Sequence, residues 1–153
     1  MKHLIYILSF LQITIHATAA GLSSTSFRFR HYTVENDLSS NSIRSLIQDR
    51  RGYIWIGTEN GLNCFDGLTV KDYSKGGRDH PANNSINALC EADDGMIWIG
   101  TDIGVFQYIP EEDNFLCFNN KATNGTIISS IIYCNIQDMD TNIWLATYGK
   151  GAF

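Results

Sequence analysis

An acidic run near the end of the chain has the residue types and the spacing of a metal-binding loop. Asp138-Met-Asp-Thr-Asn142 places three oxygen-bearing side chains at alternate positions, as the start of a calcium loop does. The sixth position of such a loop needs glycine and is Ile143 here, and the twelfth needs glutamate and is Gly149. Because this ligand set is incomplete, the sequence predicts no metal site and no cofactor, and the run is interpreted as a turn.

Cysteine chemistry is a second candidate. The four cysteines of the chain are Cys64, Cys90, Cys117 and Cys134. Their spacings of 26, 27 and 17 residues fit no zinc or redox motif. Each cysteine falls in a predicted strand among apolar neighbours, which favours buried free thiols, while a Cys117–Cys134 disulfide stays open as an alternative.

Catalytic constellations are not evident in the sequence. His31 and His80 are the histidines outside the first 20 residues, and no serine or cysteine lies at a nucleophile's spacing from either. No two carboxylates stand out as an acid–base pair. The chain itself is therefore predicted to be non-catalytic.

The elements that position these residues are set by an internal repeat. Gly-Tyr-Ile-Trp-Ile-Gly-Thr at 52–58 returns as Gly-Met-Ile-Trp-Ile-Gly-Thr at 95–101 and, more loosely, as Asn-Ile-Trp-Leu-Ala-Thr at 142–147. The three tryptophans of the chain, one in each copy, are spaced 43 and 46 residues apart. Self-similarity at a period in the forties is typical of the blades of a β-propeller.

Each copy contains segments with strand character, joined by turns. Around each tryptophan, apolar side chains point to both faces of the predicted strand, as in a strand buried between neighbouring sheets. The glycine after it would let the next sheet approach closely, and Glu59-Asn60-Gly61 and Asp102-Ile103-Gly104 supply turn residues. The prediction is an all-β fold of about three four-stranded antiparallel propeller blades with the tryptophans in the core. The predicted repeats span about residues 38–80, 81–126 and 127–153.

Residues 41–66 resemble the two-component regulator propeller repeat, and the resemblance extends from residue 27 to the end of the chain. The third copy departs from the pattern at Asn135, Thr141 and Ala146, which replace an apolar residue, a turn glycine and the glycine after tryptophan. This family builds the periplasmic sensor region of hybrid two-component systems, common in gut Bacteroidetes. The resemblance implies a sensor that detects an oligosaccharide and signals to a histidine kinase module absent from this sequence.

Residues 1–20 have the features of a signal peptide. They combine a basic start at Lys2, an apolar run over 4–15 and the cleavage pattern Ala17-Thr-Ala19. The run is too short to span a bilayer, so the mature chain, residues 21–153, is predicted to be periplasmic. By resemblance, the parent protein would be anchored in the inner membrane.

The charge of the mature chain excludes a class of partner. Removing residues 1–20 takes away Lys2 and no acid, which leaves 10 basic and 16 acidic residues. A net charge of −6 with scattered arginines argues against nucleic acid, which needs clustered Lys and Arg.

The turns after the tryptophans form the predicted binding face. If the strand upstream of each tryptophan is the innermost of its blade, these turns share one face of the propeller. The candidate ligand-binding residues on this face are Glu59, Asn60, Asp102, Tyr148 and Lys150. Polar groups that converge with an aromatic ring suit a sugar. The opposite turns, at Arg50-Arg51 and Asp93-Asp94, are predicted to be structural.

Three repeats do not close a ring, because propellers need about four to eight blades. Residues 27–33 alternate with period two and are predicted to form the strand that completes the last blade of the closed ring. We therefore expect the N-terminal portion of a larger sensor, which supplies the remaining blades and the kinase module.

Two other functions stay open at this point. One is a stand-alone secreted propeller lectin or scaffold that closes its ring by oligomerising, for example as a homodimer. The other is an enzyme whose catalytic residues lie in further blades. A reading frame that continues into more repeats, a transmembrane helix and a kinase would favour the sensor.

Overall fold

The computed structural model describes residues 26–76, 85–118 and 128–153. Residues 31–153 form one compact unit, which contains all the described strands. The predicted signal peptide at 1–20, His80 and most of the two predicted loops between the repeats lie outside the described residues. None of the described helices reaches the length and hydropathy that crossing a membrane requires.

The described strands form three antiparallel sheets, in each of which consecutive strands are neighbours. Blade 1 consists of β1 (Ile43–Gln48), β2 (Ile54–Thr58), β3 (Gly61–Phe65) and β4 (Val70–Asp72). Blade 2 consists of β5 (Ile86–Glu91), β6 (Ile97–Thr101), β7 (Gly104–Ile109) and β8 (Asn114–Cys117). Blade 3 consists of β9 (Ile132–Gln137), β10 (Ile143–Thr147) and β11 (Gly151–Ala152). Short 3-10 helices lie at Val34–Asn36 and Tyr73–Gly76. The predicted all-β fold of propeller blades is confirmed.

Close packing between blades depends on the glycine that follows each tryptophan. A Cβ atom on Gly57 would lie 2.7 Å from Ile86 Cγ2, and one on Gly100 would lie 2.6 Å from Ile132 Cγ2. Both isoleucines are fully buried and belong to the first strand of the next blade. These two glycines therefore let one blade seat against the next, as the sequence predicted.

The tryptophan side chain becomes more exposed from the first copy of the repeat to the third. Trp55 is 1% exposed and packs at 4.7 Å from the Tyr108 ring of blade 2. Trp98 is half-buried, and Trp144 is 50% exposed. Because each tryptophan lies on the face turned toward the following blade, Trp144 is left uncovered among the described residues. The prediction that every tryptophan is a core residue is therefore wrong for Trp144.

Two cysteines are also more exposed than predicted. All four thiols are free, and Cys64 is buried and Cys90 half-buried, but Cys117 and Cys134 are exposed. Cys117 lies on the outer strand of blade 2, and Cys134 lies in the first strand of blade 3. Burial of these two thiols would require a further neighbouring element, since the strands alone do not cover them.

Blade 3 forms although the third copy differs from the repeat pattern at three positions. Thr141 takes the place of Gly52 and adopts the same left-handed conformation, with φ of 67° against 90°, at a cost of roughly 1–2 kcal/mol. Asn135 is buried, and its Nδ2 donates to the Trp98 carbonyl of blade 2 at 3.0 Å. Ala146 is exposed, so its methyl group meets no following blade among the described residues.

Residues 27–33, predicted as a closing strand, form no strand among the described residues. Phe27 and Phe29 are 80% and 91% exposed. A strand is held by hydrogen bonds to a partner strand, and the proposed partner is the last blade of a closed ring. The closing role therefore stays a prediction.

Candidate functional site

The first strands of the three blades, β1, β5 and β9, lie against one another and so form the inner layer of the array. This is the arrangement on which the predicted binding face depended. The β2–β3, β6–β7 and β10–β11 hairpins consequently share one end of the blades.

Each inner strand carries a β-bulge near this end. The pairing register shifts between Ile43 and Ser45 in blade 1, and between Ile86 and Ala88 in blade 2. In blade 3 the same shift occurs opposite Ala146 and Thr147. The residues at the bulges are Arg44, Asn87 and Tyr133. A bulge re-aims a side chain, and bulges recur beside binding and active sites.

Each bulge residue contacts the hairpin residue 15 positions later in the chain. Arg44 Nη2 lies 3.3 Å from Glu59 Oε1. Asn87 Nδ2 donates to Asp102 Oδ1 at 2.7 Å. We call the six residues of these three contacts the pair face, and they are Arg44–Glu59, Asn87–Asp102 and Tyr133–Tyr148.

The pair of blade 3 is aromatic. The rings of Tyr133 and Tyr148 meet edge to face, with centroids 6.1 Å apart, and they are 57% and 64% exposed. Two hydrogen bonds fix the backbone of Tyr148. Its N–H donates to the Ile131 carbonyl at 2.9 Å, and its carbonyl accepts from Ser130 Oγ at 2.8 Å. The site thus presents two accessible aromatic rings on a fixed backbone.

The pairs of blades 1 and 2 are joined into one polar network. Arg44 Nη1 donates to Asn87 Oδ1 at 3.3 Å, and Ser85 Oγ donates to the same oxygen at 3.3 Å. Glu59, Arg44, Asn87 and Asp102 therefore form a continuous chain of contacts across the two blades. Such a network offers both donors and acceptors to a ligand.

The predicted site residues divide into two groups. Glu59, Asp102 and Tyr148 belong to the pair face, whereas Asn60 and Lys150 are exposed hairpin residues whose side chains make no hydrogen bond to the described residues. Sequence reasoning missed the bulge residues. The sequence held no clear signal for them, because the next position of the repeat also holds three residue types, Ser45, Ala88 and Cys134.

The acidic run at 138–142 has a structural role as a hairpin. Asp138 Oδ2 accepts from Trp144 Nε1 at 2.7 Å, and Oδ1 accepts from the Asn142 N–H at 2.9 Å. These bonds lower the pKa of Asp138 to about 2. Asp49 makes the equivalent bond to Trp55 Nε1 at 3.0 Å. No group of three or more metal-ligating side chains comes together within the described parts of the chain.

The turns at the opposite end hold neighbouring blades together. Arg50 Nη2 lies 2.9 Å from Asp93 Oδ1, and the Asp93 N–H donates to Gln137 Oε1 at 2.7 Å. These contacts link blade 1 to blade 2 and blade 2 to blade 3.

Comparison with known proteins finds a family model that is similar to the first two repeats and a relative that is similar to part of the chain. The family described as two component regulator propeller matches residues 37–60 and 80–102. Histidine kinase P4 of Formosa agariphila is 36% identical to this chain over 75 residues, which are 49% of this chain and 5% of the kinase.

Solved structures share the fold. The extracellular domain of a hybrid two component system from B. thetaiotaomicron is 24% identical with a TM-score of 0.64, over 80% of this chain and 17% of that chain. A virginiamycin B lyase from Staphylococcus aureus is 15% identical with a TM-score of 0.56, over 77% of this chain and 38% of that chain. Since a lyase and a two-component system share this architecture, the function has to be argued from the site.

Proposed function

We propose, from the two-component regulator propeller repeats that this chain carries, that it is a ligand-sensing segment of an extracytoplasmic sensor in a two-component system. A histidine kinase among its relatives and an extracellular domain among the similar structures support this reading. In this proposal the chain binds the ligand and is not itself an enzyme. The phosphoryl-transfer chemistry belongs to a kinase module of the parent protein.

The single observation that carries the proposal is the pair face. In all three blades a bulge residue contacts the hairpin residue 15 positions later, while the chemistry of the pair changes from an ion pair to an amide with a carboxylate and then to two aromatic rings. Packing alone would not require three different chemistries at one equivalent position. A site that reads different parts of one ligand does require them.

The ligand class that fits this face is a neutral oligosaccharide. Guanidinium, amide and carboxylate groups supply donors and acceptors for hydroxyl groups, and the tyrosine pair supplies rings for the apolar face of a sugar. Two cations, Arg44 and Lys150, balance two carboxylates, Glu59 and Asp102, across the hairpin end. A balanced charge favours neither an anionic nor a cationic ligand.

Signalling requires that the ligand bind one arrangement of the blades more tightly than another. A sugar hydroxyl that bonds both Arg44 and Asn87 would tie blade 1 to blade 2 at the inner strands. Only a difference in affinity between two arrangements can shift their populations. The proposed sensor therefore works if ligand binding alters the contact between Arg44 and Asn87, which are 3.3 Å apart in this structure.

The test is calorimetry on the full-length protein with the tightest-binding member of a panel of neutral oligosaccharides. Asn87→Ala and Asp102→Ala are each expected to weaken binding by about 1–3 kcal/mol, because each leaves a polar partner without its hydrogen bond. Glu59, Tyr148, Asn60 and Lys150 complete the set of single alanine variants. Binding is expected to depend weakly on salt.

Glu112→Ala is the matched control, since Glu112 is an exposed carboxylate in the turn between β7 and β8, at the other end of blade 2. It should bind the oligosaccharide like the parent. If the Asn87 and Asp102 variants also bind like the parent, the pair face is not the ligand site.

A further inference from the structure

A cavity of about 340 Å³ opens between blades 1 and 2 at the end opposite the pair face. Its volume falls in the range of small-molecule sites, about 300–1,000 Å³. Turns of both blades contribute to its walls. Its lining includes Arg51, Tyr53, Asp66, Lys71, Tyr108 and Asp113.

The floor of the cavity is aromatic and rigid. Trp55 and Tyr108 line it and are 1% and 5% exposed, so their accessible surface is small. Tyr53 is 36% exposed and offers the accessible ring. The Arg51 guanidinium carbon lies 5.1 Å from the centroid of this ring, which brings a cation and an aromatic face together at the mouth.

The two carboxylates of the cavity are already occupied. Asp113 accepts from Lys71 Nζ at 2.6 and 2.9 Å, from the Tyr73 hydroxyl at 3.0 Å and from the Tyr108 hydroxyl at 2.9 Å. Asp66 accepts from the Leu68 and Thr69 N–H groups and from the Thr69 hydroxyl, at 2.6–2.9 Å. Neither carboxylate needs a donor from a ligand, and two of the three N–H groups of Lys71 are directed to Asp113.

Arg51 is the cationic group of the cavity with the most unused hydrogen-bonding capacity. A guanidinium has five N–H donors, and the side chain of Arg51 makes one hydrogen bond to the described residues, from Nη2 to Asp49 Oδ2 at 3.2 Å. The Arg51 side chain is 47% exposed, while that of Asp49 is 1% exposed. Asp49 therefore fixes the guanidinium from the protein side and leaves its other N–H groups toward solvent.

We propose that this cavity is a second ligand site, which binds a small carboxylate attached to a ring, with the carboxylate on Arg51 and the ring against Tyr53. A carboxylate matches the planar guanidinium through two parallel hydrogen bonds. Two cations and two carboxylates line the cavity, as at the hairpin end that carries the pair face, but Asp66 and Asp113 are already hydrogen-bonded within the protein. The unused N–H groups of Arg51 therefore favour a carboxylate at this point over a neutral hydroxyl group. This site is separate from the pair face, and it uses Arg51, to which the sequence assigned a structural role.

The experiment is calorimetry on the full-length protein with three probes: glucuronate, acetate and glucose. Glucuronate carries both the carboxylate and the ring, acetate carries only the carboxylate, and glucose carries only the ring. We expect glucuronate to bind more tightly than acetate, acetate to compete with it, and glucose not to compete. Glucuronate binding should weaken as salt is added, because the site is charged and open.

The decisive variant is Arg51→Gln, and its matched control is Arg50→Gln. Arg50 is the adjacent arginine of the same turn and is paired with Asp93 outside the cavity. Arg51→Gln is expected to weaken glucuronate binding about tenfold or more, since a charge-assisted bond is roughly that strong. Arg50→Gln should leave it unchanged.

Two outcomes would overturn the proposal. One is that Arg51→Gln binds glucuronate as tightly as the parent does. The other is that glucose displaces bound glucuronate. If Arg51→Gln does not fold, Arg51→Lys decides, because lysine keeps the charge but loses the planar fork. Undiminished binding by Arg51→Lys would then exclude a carboxylate held by two bonds. Failure here would leave the pair face untouched, since neutral oligosaccharide binding is measured with other variants.

Discussion

The carboxylate of Asp49 is expected to be one of the largest single contributors to the stability of blade 1, and Asp49→Ala tests this. Asp49 is buried and accepts four hydrogen bonds. They come from the Arg51 N–H at 3.0 Å, the Tyr53 N–H at 2.9 Å, Trp55 Nε1 at 3.0 Å and Arg51 Nη2 at 3.2 Å. The carboxylate thus fixes both the turn and the tryptophan beneath it.

The magnitude follows from what alanine leaves behind. The Trp55 indole N–H is buried with the 1% exposed ring, and an unsatisfied buried donor costs about 1–3 kcal/mol. The two backbone N–H groups lie in an exposed turn where water can replace the carboxylate, so each adds about 1 kcal/mol. The ion pair to Arg51 adds little, because the Arg51 side chain is 47% exposed and stays largely solvated. We expect Asp49→Ala to reduce the free energy of unfolding by about 3–5 kcal/mol.

The assay is urea unfolding of this 153-residue chain, in which Trp144 is exposed, followed by tryptophan fluorescence. With a slope of about 2 kcal/mol per molar urea, the midpoint should fall by about 2 M. Asp138→Ala is the internal control, because Asp138 makes the same bond to an indole, at 2.7 Å, but Trp144 is 50% exposed. Water can take over that bond, so the shift should be much smaller. Equal shifts for the two variants would refute the reasoning from burial.

Two further predictions concern the contacts between blades. Gly100→Ala should destabilise the protein by about 1–3 kcal/mol through overpacking, since the alanine Cβ would lie 2.6 Å from Ile132 Cγ2. Ala146→Gly is the control at the equivalent, exposed position of blade 3, and it should change the urea midpoint far less. The hydrogen bond from Lys71 lowers the pKa of Asp113, so its stabilisation is full above the unfolded pKa of about 3.9 and is lost as pH falls through the lowered folded value. The difference in urea midpoint between parent and Asp113→Asn should therefore be largest near pH 7 and shrink below about pH 4, and a constant difference would contradict this.

The blades could be predicted because their determinants are local. The alternation around Trp55 and Trp98 and the turn residues that follow require no knowledge of distant contacts. The same holds for Gly57 and Gly100, whose position in the repeat already indicated a close approach. The acidic run at 138–142 was correctly interpreted as a turn because it occupies the repeat position of the Asp49 hairpin.

The exposure of Trp144, Cys117 and Cys134 could not be predicted in the same way. Trp144, Cys117 and Cys134 have apolar neighbours in the sequence, as Trp55 and Cys64 do, yet they are exposed. Their local patterns resemble those of buried residues. The difference lies in whether another sheet covers the face that carries them, which is a property of the array and not of the strand.

The sequence by itself determined the period, the blades and the hairpins that carry Glu59, Asp102 and Tyr148. Only the tertiary structure decided that these hairpin residues face Arg44, Asn87 and Tyr133. Strand alternation assigns every second side chain to one face, and a β-bulge breaks that rule at one residue. The bulge arises from the pairing register of two strands, so the partner of each hairpin residue becomes known only once the strands are aligned in the folded blade.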